Sequence, residues 1–207
     1  KVVATLTKTS VQQNTKTNNA MHLIDVDNDG VAGAAIYGTS AHHKEISLGR
    51  GDVYNLRAIF ESAASGTDVT LPQFTATSFI GTFTKGERII GGTSGAIGEI
   101  IHLVSPITYV LKSNTDFSAG ETITGQTSGA TAVVGTLTAG DNDVTANYTL
   151  DDGMRDNFYD IARIVRKQNA PQAIGKLLIV CDYFDHGNGD FFTVDSYSGI
   201  DYEDIPD

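Results

Sequence analysis

Short apolar runs separated by polar turn residues recur along the chain, and the clearest of them alternates with a period of two. The segment VYNLRAIFE, at 53–61, places Tyr54, Leu56, Ala58 and Phe60 at every second position. Successive side chains of a β-strand point to opposite faces of its sheet, so this alternation predicts a strand with an apolar row on one face. Frequent Gly and Thr between such runs are typical of strands that are joined by tight turns.

The C-terminal part of the chain predicts a hairpin. LLIVCDYF, at 177–184, is an apolar run of strand length, and the turn signal DHGNGD follows it. FFTVDSY then predicts a second strand at about 190–196. The preceding segment, at 152–166, fits either a helical turn that leads into a strand or a helix that continues to Arg166. Little helix is expected elsewhere.

Nearly the same eleven residues occur twice, as GERIIGGTSGA from Gly86 and as GETITGQTSGA from Gly120, 34 positions apart. The alignment pairs Phe83 with Phe117, Glu87 with Glu121, Ile89 with Ile123, Gly91 with Gly125, and TSGA at 93–96 with TSGA at 127–130. Each unit predicts a turn, a strand, a tight turn and a strand. Since a single hairpin is marginally stable in water, we expect the two copies to pack into one module, with Gly95 and Gly129 in the same backbone conformation.

No motif in the chain predicts catalysis. The glycines of the repeats fit neither a P-loop nor a nucleophile elbow, and the five histidines show no metalloprotease spacing. The tripeptide Arg50-Gly51-Asp52 also occurs in cell-adhesion proteins, but a turn before the strand at 53–61 explains it. We therefore expect no enzymatic activity.

Composition narrows the class of partner. Among 207 residues, 14 Lys and Arg stand against 25 Asp and Glu, a formal net charge of -11. This charge repels nucleic acid phosphates and anionic lipid surfaces, so neither is an expected partner. No apolar stretch approaches the ~20 residues that span a bilayer, so no membrane insertion is expected. The single Cys181 excludes an internal disulfide, and its apolar surroundings predict a buried, inert thiol.

One segment has the spacing of half a calcium loop. The sequence DVDNDG places Asp25, Asp27 and Asp29 at alternating positions before Gly30. Oxygen ligands at this spacing and a glycine for the sharp turn suit Ca²⁺, so these three carboxylates are the candidate metal ligands. The twelfth loop position is Ile36, where an EF-hand has a bidentate Glu. The alternative is a turn rich in Asp and Asn between two strands, with no metal or other cofactor.

Three C-terminal stretches resemble a segment of large virion structural proteins of contractile-tailed marine phages, chiefly cyanophages. They are YTLDDGMRDNFYDIARI, LLIVCDYFDHGNGDFFTVDSY and DYEDIP. The TSGA units are similar to hairpins of tail and baseplate-associated proteins of the same kind. The matching motifs cover roughly residues 50–62 and 80–207, and the first 45 residues match more weakly. In such proteins the chain continues past this motif, so the sequence is expected to be part of a longer protein.

Alternation and turn residues predict a mainly β fold, an antiparallel β-sandwich or barrel-like domain, and the resemblance implies that the two TSGA hairpins form a small β-module inserted in it. Residues 1–78 and 139–207 would form the discontinuous main domain, and residues 79–138 the inserted module. The implied function is structural, as a virion part of the tail, baseplate or tail fibre that acts by assembly. Other tail proteins and copies of the same chain are the expected partners, and long β edges would be buried against them. A module that binds a host surface protein or glycan is the alternative.

Overall fold

The computed structural model describes residues 3–5, 7–28, 36–156 and 158–206. This part of the chain is mainly β, as the sequence predicted, and it contains no α-helix. The strands are β1 (Lys16–Val26), β2 (Glu45–Ser47), β3 (Val53–Glu61), β4 (Gln73–Ile80), β5 (Arg88–Gly91), β6 (Ile97–His102), β7 (Ile107–Leu111), β8 (Thr122–Gly125), β9 (Thr131–Thr138), β10 (Asn142–Asp143), β11 (Tyr148–Asp151), β12 (Arg163–Arg166), β13 (Leu177–His186) and β14 (Tyr197–Ser198). Short 3₁₀ turns lie at Ile36–Gly38, Thr145–Asn147, Val194–Ser196 and Tyr202–Asp204.

The strands form two open sheets and one closed barrel. The first sheet has the order β10-β3-β13-β1-β14, the second has the order β11-β12-β2, and the barrel has the order β4-β7-β6-β5-β8-β9. The barrel strands run consecutively from Gln73 to Thr138, and these two residues pair directly in the ladder between β4 and β9. The expected module boundary at residue 79 therefore falls inside β4, because that whole strand is needed to close the barrel.

Three apolar cores hold these layers together. The first lies between the two open sheets and includes Ile46, Ile164 and Ile179, while the second fills the barrel around Phe74 and Ile123. A third core, centred on Met21, Phe60, Ile101, Val110 and Val180, joins the five-stranded sheet to residues of β6 and β7. The five-stranded sheet is thus covered on both faces. This explains why β13 is apolar at nearly every position rather than at alternate ones.

The predicted hairpin after β13 is wrong. Phe191 makes only an isolated bridge to Gln13, and Val194–Ser196 is a 3₁₀ turn. Tyr197–Ser198 then pairs in parallel with β1. The reason lies in the position of β13, which pairs with β1 on one side and with β3 on the other, so that neither edge is open to the segment that follows it.

The described residues of the segment 152–166, which are all but Asn157, contain a strand and no helix. Gly153 has a φ of 79°, a left-handed conformation that interrupts a right-handed helix, and Arg163–Arg166 forms β12. Arg155 donates two hydrogen bonds to the Asp151 carboxylate, and Arg163 donates a third. The Arg155 bonds are the main cause that lowers the pKa of Asp151 to about 2. Of the two alternatives for this segment, the continuous helix is wrong, and the described residues before the strand form no helical turn.

The apolar row predicted along β3 is interrupted by bulges. The register with β13 shifts between Leu56 and Ala58, so these two side chains do not share one face. Leu56 packs with the core between the sheets, whereas Ala58 and Phe60 pack towards the barrel. The bounds of β3 match the prediction, but a strict period of two does not survive an extra residue in the strand.

The outer sides of β1 and β3 are only partly covered, because β14 pairs with two residues of β1 and β10 pairs with two residues of β3, so the expectation of long open edges stays a prediction. In the described part of the chain, the outermost strands of the open sheets are β10, β14, β11 and β2, which are two to four residues long. The barrel is closed and leaves no edge of its own. Short edge strands and closure are two ways in which a β protein avoids edge-to-edge pairing.

The two repeats have the same backbone and pair with each other across a local two-fold axis. Gly95 and Gly129 both have a φ of 68°, as their equal spacing predicted. Strands β5 and β8 are antiparallel, with Ile90 opposite Thr124, its own equivalent in the second repeat. The flanking backbone bonds match as well, because Gly92 N donates to Thr122 O and Gln126 N donates to Arg88 O, each at 2.9 Å.

Each repeat binds the TSGA turn of the other through a buried glutamate. The Glu121 carboxylate accepts hydrogen bonds from the backbone N–H groups of Thr93 and Ser94, at 3.0 and 2.9 Å, and from the Ser94 hydroxyl. Glu87 accepts the equivalent bonds from Thr127 and Ser128. We call Glu87 and Glu121 the cross-repeat carboxylates. The duplicated sequence therefore forms one barrel whose halves hold each other's turns.

These contacts explain two of the repeated glycines. A Cβ atom on Gly125 would lie 2.5 Å from Glu87 Oε2, and one on Gly91 would lie 2.7 Å from Glu121 Oε2. Both distances are far inside van der Waals contact. Gly129, in contrast, has open space around its missing Cβ and is constrained only by its positive φ.

We predict that Gly125→Ala destabilises the chain by more than Gly129→Ala. The first substitution must displace a buried carboxylate from its donors, which costs about 2–4 kcal/mol. The second forces alanine into the left-handed region at a cost of about 1–2 kcal/mol. Urea denaturation of both variants measures the difference, and Gly129→Asn, which tolerates positive φ, serves as the mild control. Equal costs at positions 125 and 129 would contradict the steric role of the carboxylate.

Candidate functional site

The candidate calcium ligands lie at the end of β1. Asp25 is exposed on the strand, and Asp27 follows it with Oδ1 bonded to Asn28 N at 2.8 Å. Asp27 Oδ2 lies 3.7 Å from Lys176 Nζ. The third candidate, Asp29, lies outside the described residues. Within those residues, no three His, Cys, Asp or Glu side chains are grouped in a way that could hold a metal ion. Calcium binding therefore stays a prediction.

Calorimetric titration of the chain with Ca²⁺ tests this prediction. Binding is expected to disappear in Asp25→Asn, which removes a carboxylate charge without changing the size of the side chain. Lys176→Ala is the informative control, because removal of a cation that competes for Asp27 should strengthen binding. A flat titration of the unchanged protein would remove the hypothesis.

The sequence motif Arg50-Gly51-Asp52 has a structural role, as the turn interpretation expected. Asp52 has a φ of 55°, and its side chain is only 2% exposed, so the tripeptide is not displayed in the manner of an adhesion loop. The Asp52 carboxylate points inward instead. It belongs to the ion pair whose two side chains are the most deeply buried in the described part of the molecule.

This group is a buried ion pair with a histidine beside it. Lys16 Nζ lies 2.8 Å from Asp52 Oδ2, and the two side chains are 3% and 2% exposed. His186 Nε2 lies 2.6 Å from the same oxygen. Lys16 begins β1, Asp52 precedes β3, and His186 ends β13, which runs between the other two strands. Two nitrogen donors therefore meet on one carboxylate oxygen.

Four aromatic rings surround the Lys16 ammonium. The ring centroids of Tyr159, Tyr197, Phe192 and Phe184 lie 5.0, 5.1, 5.2 and 5.6 Å from Nζ. The negative faces of aromatic rings attract a cation, and they also exclude water from it. Lys16, Asp52, His186 and these four rings are named the Lys16 cluster.

Opposing effects act on the charge of Lys16. Burial by itself lowers the pKa of the ammonium, because the charged form loses its hydration. Hydrogen bonds to Asp52 and Tyr159 outweigh this loss, so the pKa lies above the ordinary value of 10.5. The resting state is consequently an ion pair in a site with little water.

A cleft of about 350 Å³ reaches the Lys16 cluster from the surface. Its walls include Arg50, Asp160 and Asp185, and it meets the cluster at His186 and Tyr159. His186 is 25% exposed and is the member of the ion-pair group that water can reach. The imidazole is held between Tyr159 and Phe192, at centroid distances of 4.4 and 5.0 Å.

A second cleft of about 720 Å³ lies between the five-stranded sheet, the barrel and the C-terminal segment. Polar side chains from all three parts line it, among them Asn18, Arg57, Lys85, Asp201 and Tyr54. At its base Arg57 donates to Asp182 at 2.6 Å and to Glu99 at 2.7 Å. Burial by itself lowers the pKa of Arg57, but the two carboxylates outweigh it and raise the pKa. The same ion pairs join the sheet to the barrel.

Cys181 is the buried, inert thiol that the sequence predicted. It is fully buried and makes no disulfide. Burial raises its pKa to about 12, so the thiolate is not formed at neutral pH.

Sequence reasoning did not find the residues of these sites. Lys16, Asp52 and His186 come from three distant segments, and no spacing connects them. Glu87 and Glu121 did carry a signal, since they are the only charged residue that the two repeats share at the same place, and this indicates a common role.

Comparison with family models, curated proteins and solved structures found no match to this chain. Among the residues that the structure describes, no helix is long and apolar enough to cross a membrane.

Proposed function

We propose that the chain is a structural part of a phage virion, in the tail, baseplate or tail fibre, and that it acts by assembly. One observation carries the proposal. The segments that resemble phage virion proteins supply every aromatic ring of the Lys16 cluster, since Tyr159 belongs to the first segment and Phe184, Phe192 and Tyr197 belong to the second. Two separate segments of resemblance that meet in one buried cluster support a resemblance of the main domain as a folded unit, and not only of short motifs.

The barrel acts, in this proposal, as a module inserted into the main domain. Its strands leave the five-stranded sheet after β3 and return at β10, and β10 pairs with the end of β3 through Asn142 and Glu61. The two ends of the barrel segment are therefore adjacent, which is the arrangement that allows one domain to be inserted in another.

The polar chemistry of the chain supports a mechanical rather than a catalytic role. The buried cross-repeat carboxylates bind backbone turns, and the buried Asp182 binds Arg57 and the backbone N–H of Met21. Each of these groups joins two parts of the fold. A stiff unit of this kind suits a tail, which must transmit force without unfolding. Contacts with other tail proteins or with copies of the chain would use exposed side chains and the parts of β1 and β3 that β14 and β10 do not cover.

Immunogold electron microscopy of purified phage particles tests the proposal. Antibodies raised against the chain are expected to label the tail or baseplate, and mass spectrometry of the same particles is expected to detect its peptides. Particles pre-treated to shed their tails provide the control, since the label should leave with the tails. Particles without the protein, label on the head, or hydrolysis of host polysaccharide by the purified chain would overturn the proposal.

The second cleft favours one alternative, a module that binds a host-surface glycan. Tyr54 and the amides and charged groups of Asn18, Arg57 and Asp201 supply the aromatic and hydrogen-bonding groups that sugar recognition uses. A glycan array with the chain and with Tyr54→Ala separates the two functions. Specific binding that the substitution abolishes would favour the adhesin, and no binding would favour assembly alone.

A further inference from the structure

We propose that Lys16 and Asp52 condense to an intramolecular amide, so that the mature chain carries a covalent cross-link between β1 and the start of β3. The inference is independent of the proposed function. It rests on the geometry of the Lys16 cluster, in which an amine and a carboxyl group are held 2.8 Å apart, almost without water, beside a group that can transfer protons.

Proximity removes the main barrier to this reaction. In water an amine and a carboxylate do not condense, because they meet rarely and because both are charged. Fixed at hydrogen-bond distance, the two groups react with effective molarities of about 10⁵–10⁸ M in well-oriented cases. Three features of the fold hold the Lys16 amine and the Asp52 carboxyl group in place. Lys16 begins β1, Asp52 lies in a turn with a φ of 55°, and the ring of Tyr159 lies over Nζ.

The aromatic surroundings favour both the first step and the product. Burial costs the charged forms their hydration, and this cost opposes the ion pair even though the hydrogen bonds of Lys16 outweigh it. The product amide is uncharged, so its burial among the four aromatic rings costs less hydration free energy than burial of the two ions. Exclusion of water by the four rings also protects the bond from hydrolysis.

The reaction balances without any further reactant. The Lys16 ammonium transfers one proton to Asp52 Oδ2, and Nζ then attacks Cγ. A second Nζ proton moves to Oδ2 through His186 Nε2, which is bonded to that oxygen, and the Cγ–Oδ2 bond breaks. One water leaves, and the amide keeps Oδ1 as its carbonyl oxygen. His186 returns to its first state, and the cleft at its exposed edge gives the water an exit.

The cross-link would strengthen the five-stranded sheet. Strand β13 lies between β1 and β3 and pairs with both. A bond from Lys16 to Asp52 would therefore hold the two neighbours of the central strand together, and neither could be pulled away alone. In a protein under mechanical load, such a bond prevents unfolding of the segment that it closes.

Mass spectrometry of the folded, purified chain tests the proposal. The intact mass is expected to be lower than the sequence mass by one water. Trypsin cannot cleave after an acylated Lys16, so the digest should contain a branched peptide that joins residues 9–44 to residues 51–57. Lys16→Arg, which keeps the charge but cannot form this amide, should have the full mass and should unfold at lower temperature.

Two internal controls make the test specific. Lys176 and Asp68 lie at a similar distance, 3.1 Å, but Asp68 is 94% exposed, and this pair should not be joined. Asp-Gly sequences at Asp29-Gly30 and Asp152-Gly153 can also lose water, and the branched peptide distinguishes that loss from the cross-link. If Lys16→Arg fails to fold, the branched peptide of the unchanged chain still decides.

The role of His186 is tested by the rate of the reaction. After refolding from denaturant, the His186→Gln variant is expected to form the cross-link about 100-fold more slowly than the unchanged chain. A histidine that only filled space would leave this rate unchanged. A folded chain with the full sequence mass after prolonged incubation, or a water loss that persists in Lys16→Arg, would overturn the proposal.

Discussion

Replacement of Glu121 by alanine is expected to destabilise the chain by about 3–5 kcal/mol, because several part-buried donors lose this buried acceptor at once. The carboxylate is 4% exposed and binds the N–H groups of Thr93, Ser94 and Ser118 together with the Ser94 hydroxyl. Urea denaturation measures the loss. Glu87→Ala should cost a similar amount, since Glu87 makes the equivalent contacts with the other turn.

Control variants and pH separate this effect from a general loss of charge. Glu203→Ala, at an exposed position, should change stability by less than about 0.5 kcal/mol.

Burial alone raises the pKa of Glu121, but its hydrogen bonds outweigh burial, and the pKa lies below the ordinary 4.5. Because the pKa of Glu121 is lower in the folded chain than in the unfolded chain, its ionised form stabilises the fold above pH 4.5. This contribution is lost as the pH falls through the folded-state pKa. Glu121→Ala should therefore weaken the acid dependence, and an unchanged acid transition would contradict the role of this carboxylate.

Asp182→Ala is expected to destabilise the chain by about 3–5 kcal/mol, because it leaves the part-buried Arg57 Nε and a buried backbone N–H without their acceptor. Asp182 is fully buried, and its two oxygens bind Met21 N at 2.7 Å and Arg57 Nε at 2.6 Å. The loss should appear as a lower midpoint of chemical denaturation. Because Met21 belongs to the core between the sheet and the barrel, exchange of amide hydrogens should increase there.

Glu99→Gln is the matched control for Asp182. It removes the charge at the other end of the same network, where the side chain is 18% exposed and water can replace the lost contact. A cost of less than about 1 kcal/mol is expected. If this substitution were as costly as Asp182→Ala, the buried carboxylate would not be the main support of the network.

The elements that sequence predicted well are those fixed by local pattern. β3 and β13 are apolar runs bounded by turn residues, and both lie where the pattern placed them. The error at 190–196 arose because the turn signal says nothing about which edge of β13 is free. Both edges are taken by strands from the N-terminal half of the chain, a fact of topology that no local pattern contains.

The sites depend on contacts that sequence order hides. The repeat alignment predicted equal turns at Gly95 and Gly129, and the structure has them. It did not predict that each glutamate binds the turn of the other repeat, because an alignment shows which positions are alike and not which ones touch. The Lys16 cluster is harder still, since its members come from segments near residues 16, 52, 159 and 184–197.

A double-mutant cycle on the repeats tests the central claim, that the two halves of the barrel hold each other. Stability is measured for Glu121→Gln, Ser94→Ala and the double variant, and again with Ser128→Ala in place of Ser94→Ala. Glu121 is expected to couple to Ser94, in the other repeat, by about 1 kcal/mol or more, and not to Ser128, in its own repeat. Coupling to Ser128 and not to Ser94 would mean that each hairpin is self-contained, and would contradict the account.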